Sequence, residues 1–104
     1  MSVTEKSDKD FKSFVESNPK VMIKFYADWC GNCRLFAPKF ERMSNSSNQD
    51  IAFVKINAEL NPEIRKMVGV DNLPYFAAID NMKIVDKDCT SKEERVQEMI
   101  DKLS

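Results

Sequence analysis

The sequence predicts an α/β fold, a central mixed sheet of about four to five strands flanked by about four helices. Three observations carry this. Apolar runs and amphipathic stretches alternate along the chain. Two of the runs, Val21–Ala27 and Ile51–Ile56, are almost continuously apolar, as central parallel strands covered on both faces are. The 104 residues leave room for one domain, 1–104.

A short strand is possible at Val3-Thr4. Ser7 and Asp10 have capping-box spacing with Asp in place of Glu, and Phe11, Phe14 and Val15 follow at helical spacing, so a first helix reaches about Ser17. Asn18-Pro19 ends it. After the Val21–Ala27 strand, a helix starts near Cys30 and runs to about Met43, with Leu35, Phe36, Phe40 and Met43 as its apolar positions. Pro38 lies inside that helix and is expected to kink it, since it lacks an N–H and crowds the preceding turn. Ser44 to Asp50 reads as a polar loop before the Ile51–Ile56 strand.

Asn61-Pro62 opens a short helix through about Val68, closed by Gly69. Tyr75–Ile79 and Lys83–Val85 read as a hairpin around Asp80-Asn81, where Asn81 tolerates a left-handed backbone. Ser91, with Glu94 three residues on, is expected to cap a last helix whose apolar face is Val96, Met99, Ile100 and Leu103. The first half is thus a parallel βαβ unit and the last two strands are antiparallel.

Composition excludes several functions. Sixteen basic against 17 acidic residues leave no positive excess to hold nucleic acid. No histidine is present, and three cysteines cannot complete a four-ligand zinc site, so no metal is expected. Three is also an odd and small number for a disulfide-stapled secreted scaffold. The polar start has no apolar signal core, and the longest apolar stretch falls far short of a membrane span. The expected compartment is the cytoplasm, where a close cysteine pair is more often catalytic or metal-binding than structural.

The chemistry concentrates in Trp29-Cys30-Gly31-Asn32-Cys33, between a buried strand and a helix start. Cys-x-x-Cys there puts two sulfurs within disulfide reach. The first sits where unpaired helix N–H groups and the macrodipole favour an anion, so its thiolate is stabilised and it becomes the attacking nucleophile. Cys33, one turn on and more buried, resolves the mixed disulfide. Gly31 leaves the Cys30 sulfur accessible. The competing readings are half of a zinc site, for which only Cys89 remains, and two inert core cysteines.

Phe25-Tyr26-Ala27-Asp28-Trp29-Cys30-Gly31-Asn32-Cys33-Arg34 resembles the active-site segment of thioredoxins and of the catalytic domains of protein disulfide isomerases. Ala37-Pro38-Lys39-Phe40-Glu41, Phe53-Val54-Lys55-Ile56-Asn57 and Val70-Asp71-Asn72-Leu73-Pro74-Tyr75 resemble the family's kinked helix, next strand and facing loop. The resemblance covers nearly the whole chain and implies the thioredoxin fold. It makes Cys30 the nucleophile and Cys33 the resolving thiol. It also makes Pro74 the cis-proline beside the disulfide, and gives the Leu73 backbone the task of pairing with an extended substrate. Trp29 becomes an apolar shoulder for substrate, with plain core packing as its alternative.

The chain departs from the family at four places. Asn32 stands where thioredoxins usually carry Pro and disulfide isomerases His. Its backbone N–H is one more donor for the Cys30 thiolate, which implies a reduction potential between the two subfamilies. Lys24 stands where the family usually has a buried acid, beside Lys55, which matches the family's lysine. Two such ammonium groups repel and resist desolvation, so at least one pKa is expected to fall. Lys24 then accepts the Cys33 proton when neutral, stabilises the Cys33 thiolate when charged, or snorkels idly to solvent. Asn81-Met82 replaces a frequent Asn-Gly turn, and the Gly usual before the last helix is missing near Cys89-Thr90-Ser91. Cys89 reads as a small apolar residue at a strand end, with an intermolecular disulfide or a glutathione cap as its alternative. Asp28 and Arg34 flank the site, as tuning charges or ordinary surface ones.

The resulting expectation is a monomeric thioredoxin-like enzyme that reduces disulfide-containing protein substrates, with no cofactor in the chain itself. The resemblance implies a flavin- and NADPH-dependent thioredoxin reductase as its electron donor. The rivals are a disulfide isomerase-like oxidase, a glutaredoxin-like enzyme and a thioredoxin-fold binding module without turnover.

Overall fold

The computed structural model describes residues 3–104; Met1 and Ser2 of the polar start lie outside them. The elements are β1 (Thr4–Glu5), α1 (Asp8–Ser17), β2 (Lys20–Tyr26), α2 (Gly31–Ser46), β3 (Ile51–Asn57), α3 (Pro62–Val68), β4 (Tyr75–Asp80), β5 (Lys83–Cys89) and α4 (Glu93–Asp101). The strands form one sheet in the order β1-β3-β2-β4-β5. β1 and β2 run parallel to β3, while β4 is antiparallel to β2 and to β5.

Strand alternation divides the core into two layers. Val21, Ile23 and Phe25 of β2 join Phe11 and Val15 of α1 and Ile64 and Val68 of α3 on one face. Met22 of β2 joins Phe36, Phe40 and Met43 of α2 and Val96, Met99 and Ile100 of α4 on the other. The Phe40 ring meets Phe53 and Phe76 at 5.4 and 5.6 Å between centroids. Each fully buried side chain of this size contributes about 1.5–3 kcal/mol. Lys24 alternates onto the α2 face with Met22, and its register partners are Lys55 on β3 and Phe76 on β4.

Several boundaries differ from the sequence reading. α2 continues to Ser46, because Ser44, Ser46 and Ser47 turn their hydroxyls back onto the carbonyls of Glu41, Arg42 and Met43. Residues that favour a loop in isolation are thereby satisfied on a helix. Leu35, read as part of the apolar face, is 72% exposed. The Ser7 hydroxyl donates to Asp10 Oδ2 and caps no backbone N–H. Lys92, not Ser91, is the N-cap of α4.

β5 extends four residues beyond Val85, through Asp86-Lys87-Asp88-Cys89. These charges lack the apolar pattern of a strand but suit an edge. Arg95 of α4 forks onto Asp86 at 2.9 Å and reaches Asp88 at 2.8 Å, while Lys87 Nζ donates to the Val68 carbonyl at the end of α3. Gly69 closes α3 in the left-handed region as expected, φ 85°. The hairpin turn is left-handed at both Asn81 and Met82.

Candidate active site

β2 delivers the chain to the bottom of the site, and Ala27–Trp29 turn it into α2. Cys30 is the N-cap of α2, and its sulfur accepts the Cys33 backbone N–H at 3.1 Å. This is the N–H that reaches Cys30 Sγ among the described residues. Cys30 and Cys33 are joined as a disulfide, with Cα atoms 5.2 Å apart. They are 5% and 2% exposed and pack with Ala27, Tyr26 and Leu73. A thiolate at Cys30 would thus sit against a free helix N-terminus and one aligned donor, both favouring the anion.

The Leu73–Pro74 peptide is cis, as the family resemblance implies. Pro74 is buried, and its carbonyl accepts the Thr90 N–H at 3.2 Å. The Leu73 N–H donates to Asn72 Oδ1 at 2.9 Å, so it is already engaged by an amide oxygen. Trp29 is 64% exposed, which removes core packing as its role. Its indole N–H donates to Glu59 Oε2 at 2.6 Å. Gly31 and Asn32 are both exposed at the head of α2. A Cβ on Gly31 would meet nothing within 4 Å, so packing does not demand glycine there.

Lys24 is 4% exposed, its stem enclosed and its ammonium group at a cleft rather than on the outer surface. Burial brings its pKa from 10.5 down to about 8, helped by repulsion from Lys55 and opposed by Glu41. Both ammonium groups lie 5.9 Å from the Tyr26 ring centroid, and that of Lys24 lies 5.8 Å from the Phe40 ring. Neither lysine is in an ion pair among the described residues. The Glu41 carboxylate faces them from α2 and accepts the Val3 N–H. A cleft of about 200 Å³ connects Lys24 and Lys55 to Cys33, with Tyr26, Asp28 and Arg34 on its walls. Tyr26 donates to Glu5 at 2.5 Å; burial and that bond push its pKa up to about 12, so it remains a neutral donor. Arg34 donates to the Asp28 carbonyl at 2.6 Å.

Cys89 ends β5, opposite Tyr75, and is exposed. Its thiol pKa is raised by partial burial and by Asp71 and Asp88, which opposes thiolate formation. Sequence reasoning missed Glu59, Glu5 and Asn72. Each acts through a contact that only the folded chain or a local side-chain turn creates, and none belongs to a spacing motif.

The thioredoxin family model matches residues 2–102. The chain belongs to the thioredoxin family. Thioredoxin-1 of Schizosaccharomyces pombe is 39% identical over 72 residues, which is 69% of this chain and 69% of that protein. The probable protein disulfide-isomerase A4 of Caenorhabditis elegans is 38% identical over 68 residues, 65% of this chain but 11% of that protein. A crystal structure of reduced Schistosoma mansoni thioredoxin superposes with a TM-score of 0.91 at 29% identity, covering 100% of both chains. Several curated relatives are longer, and the chain spans less than two thirds of thioredoxin-T of Drosophila melanogaster, at 64%. Cys30 and Cys33 form the Cys-x-x-Cys pair of this family member at the head of α2.

Proposed function

We propose that the chain reduces protein disulfides by dithiol–disulfide exchange. The observation that supports this best is Cys30 Sγ at the N-terminus of α2, 3.1 Å from a backbone donor and joined to Cys33 beneath it. In the reduced form the Cys30 thiolate attacks one sulfur of the substrate disulfide. That bond breaks, and the second substrate sulfur leaves as a thiolate that takes a proton from water. The Cys33 thiol passes its proton to the minority of Lys24 that is neutral, the pKa of about 8 leaving most of it charged at pH 7, and attacks Cys30 Sγ. The mixed disulfide breaks, the substrate leaves reduced by two electrons, and Cys30–Cys33 closes.

Lys24 suits that proton transfer because its pKa, about 8, lies near the ordinary thiol value of about 8.5. Once protonated, it and Lys55 face the Cys33 thiolate across the cleft. Gly31 and Asn32 are exposed at the mouth of the site, but Cys30 itself is 5% exposed, so the glycine does not by itself leave the sulfur open. Trp29 and the Leu73–Pro74 segment provide the apolar shoulder and the backbone for an extended substrate. In this reading the protein works as a cytoplasmic monomer, and a flavin- and NADPH-dependent thioredoxin reductase returns the two electrons.

A second reading, oxidase or isomerase, is favoured by the two ammonium groups, which stabilise the reduced pair and so raise its potential. Insulin disulfide reduction tests the first reading. Wild type turns over, Cys30→Ser is inactive, and Cys33→Ser accumulates a mixed disulfide visible by mass spectrometry. Absence of turnover in wild type with intact Cys30–Cys33 redox cycling would favour the second reading, and absence of any redox cycling would sink both.

A further inference from the structure

Two lysines, Lys24 and Lys55, stand behind the cysteine pair and share a cleft with Cys33. Lys24 and Lys55 are register partners on adjacent parallel strands and approach the face of one ring, Tyr26. Two like charges so placed repel, and a ring face returns only about 0.5–1 kcal/mol to each at ordinary exposure. No carboxylate pairs with either within 4 Å among the described residues. Glu41, the acid facing them from α2, offsets part of the Lys24 charge from beyond ion-pair distance and has Oε1 engaged by the Val3 N–H.

Lys24 is 4% exposed, and no fully buried side-chain nitrogen or oxygen among the described residues lacks a partner, so its ammonium group opens onto the cleft. It lines the cleft of about 200 Å³ and a smaller adjoining one of about 50 Å³. Arg34 adds a third cation to the larger cleft, with one of its nitrogens held by the Asp28 carbonyl. Asp28 is the one carboxylate on that wall. A water takes about 30 Å³, so the space admits a compact ion with part of its hydration shell.

We propose that this cleft, walled by β2, β3 and the first turns of α2, is a binding site for a compact inorganic oxyanion. The anion lies between Lys24 and Lys55 and completes the charge balance that the protein leaves open. Cys33 shares the cleft, so the site is also coupled to the redox state. This coupling, unlike the binding itself, rests on the exchange reading above. In the disulfide form Cys33 carries no charge and the lysines are free to hold the anion. In the dithiol form the single thiolate charge of the pair repels the anion and draws on the same two ammonium groups. The anion therefore prefers the oxidised chain and, by linkage, lowers the potential of the pair. A tenfold preference corresponds to a drop of about 30 mV.

The test is an NMR titration of the oxidised, ¹⁵N-labelled protein with inorganic phosphate, at ionic strength held by sodium gluconate. Saturable shifts are expected at the amides of Ala27, Cys33 and Lys55. Affinity should fall at least tenfold in Lys24→Gln and stay unchanged in Lys12→Gln, a surface control. The same titration of the reduced protein should give weaker binding. Non-saturating shifts spread over surface lysines, the result of an adventitious ion only, would overturn the site. So would wild-type affinity in Lys24→Gln. Equal affinity in both redox states would overturn the coupling. Insulin turnover in phosphate-free gluconate buffer reports on the exchange reading alone, so the two failures are distinguishable.

Discussion

Lys24→Met removes an ammonium group from the α2 face of the sheet and keeps a side chain of similar length. At pH 7 wild-type Lys24 is charged in both folded and unfolded chains, but only the folded chain holds that charge out of water. The fall in its pKa from 10.5 to about 8 measures the difference, about 3 kcal/mol at ~1.4 kcal/mol per unit. Methionine forfeits ring contacts at 5.9 and 5.8 Å, near the outer limit of cation–π range and worth about 1 kcal/mol together. The variant is therefore expected to be more stable than wild type by about 2 kcal/mol at pH 7. The sign with pH follows from proton counts. Between pH 8 and 10.5 the unfolded chain keeps the Lys24 proton that the folded chain has lost, so wild-type stability rises with pH there and the variant's advantage shrinks. Urea unfolding of both oxidised proteins at pH 7, 9 and 10 measures this. Tyr26, Tyr75 and Cys89 titrate in both proteins and drop out of the difference. A variant no more stable than wild type at pH 7, or a gap that stays constant to pH 10, would refute the reasoning.

Three further perturbations probe the frame around the site. Met82→Gly relieves a left-handed backbone at an exposed side chain, φ 67°, and should raise stability by about 1 kcal/mol in thermal melts. Asp8→Ala removes the carboxylate of α1 that accepts the Glu63 and Ile64 N–H groups of α3, at 3.0 and 2.9 Å; a loss of about 1–2 kcal/mol is expected in urea unfolding. Arg95→Met strands the nearly buried Asp86 with only Lys102 and should cost about 3 kcal/mol at neutral pH. Hydrogen bonds from Arg95 hold the Asp86 carboxyl well below the usual carboxylate range, so this contribution is present above about pH 4 and lost as the pH falls further. The difference between wild type and Arg95→Met should narrow in acid.

The frame of the fold was readable because each main element declares itself locally. Val21–Ala27 and Ile51–Ile56 cannot be left in water, and Asn61-Pro62 and Gly69 carry the start and stop of α3 in their backbone preferences. What escaped is long-range. β5 beyond Val85 is a strand of alternating charges whose stability comes from Arg95, Lys102 and the Val68 carbonyl, all distant in sequence. The true cap of α3 is Asp8, 55 residues from Glu63. α2 outran its apolar positions because three serine hydroxyls found carbonyls on their own helix.

The site divides along the same line. Cys30, Cys33 and the strand-to-helix corner were legible as a motif, because helix N-termini favour anions whatever the surrounding fold. The burial of Lys24 was open, since a lysine on an apolar strand either extends to solvent or stays enclosed, and the choice depends on α2 closing over it. Once enclosed, it changes the balance of the pair. The helix dipole and the Lys24–Lys55 pair favour the single thiolate charge of the reduced pair from opposite sides of the same two sulfurs. Both act on the reduced form, because the disulfide carries no charge for either to stabilise. The two effects therefore add in raising the potential. A chain with a carboxylate at position 24 would have one of these effects offset by the other. The potential here is expected between about −270 mV, typical of a thioredoxin, and about −180 mV, typical of a disulfide isomerase. Equilibration in thiol buffers followed by alkylation measures it, and Lys24→Met should move it toward the more reducing end. A value unmoved by that substitution would mean that the ammonium group, though enclosed beside Cys33, does not act on its thiolate.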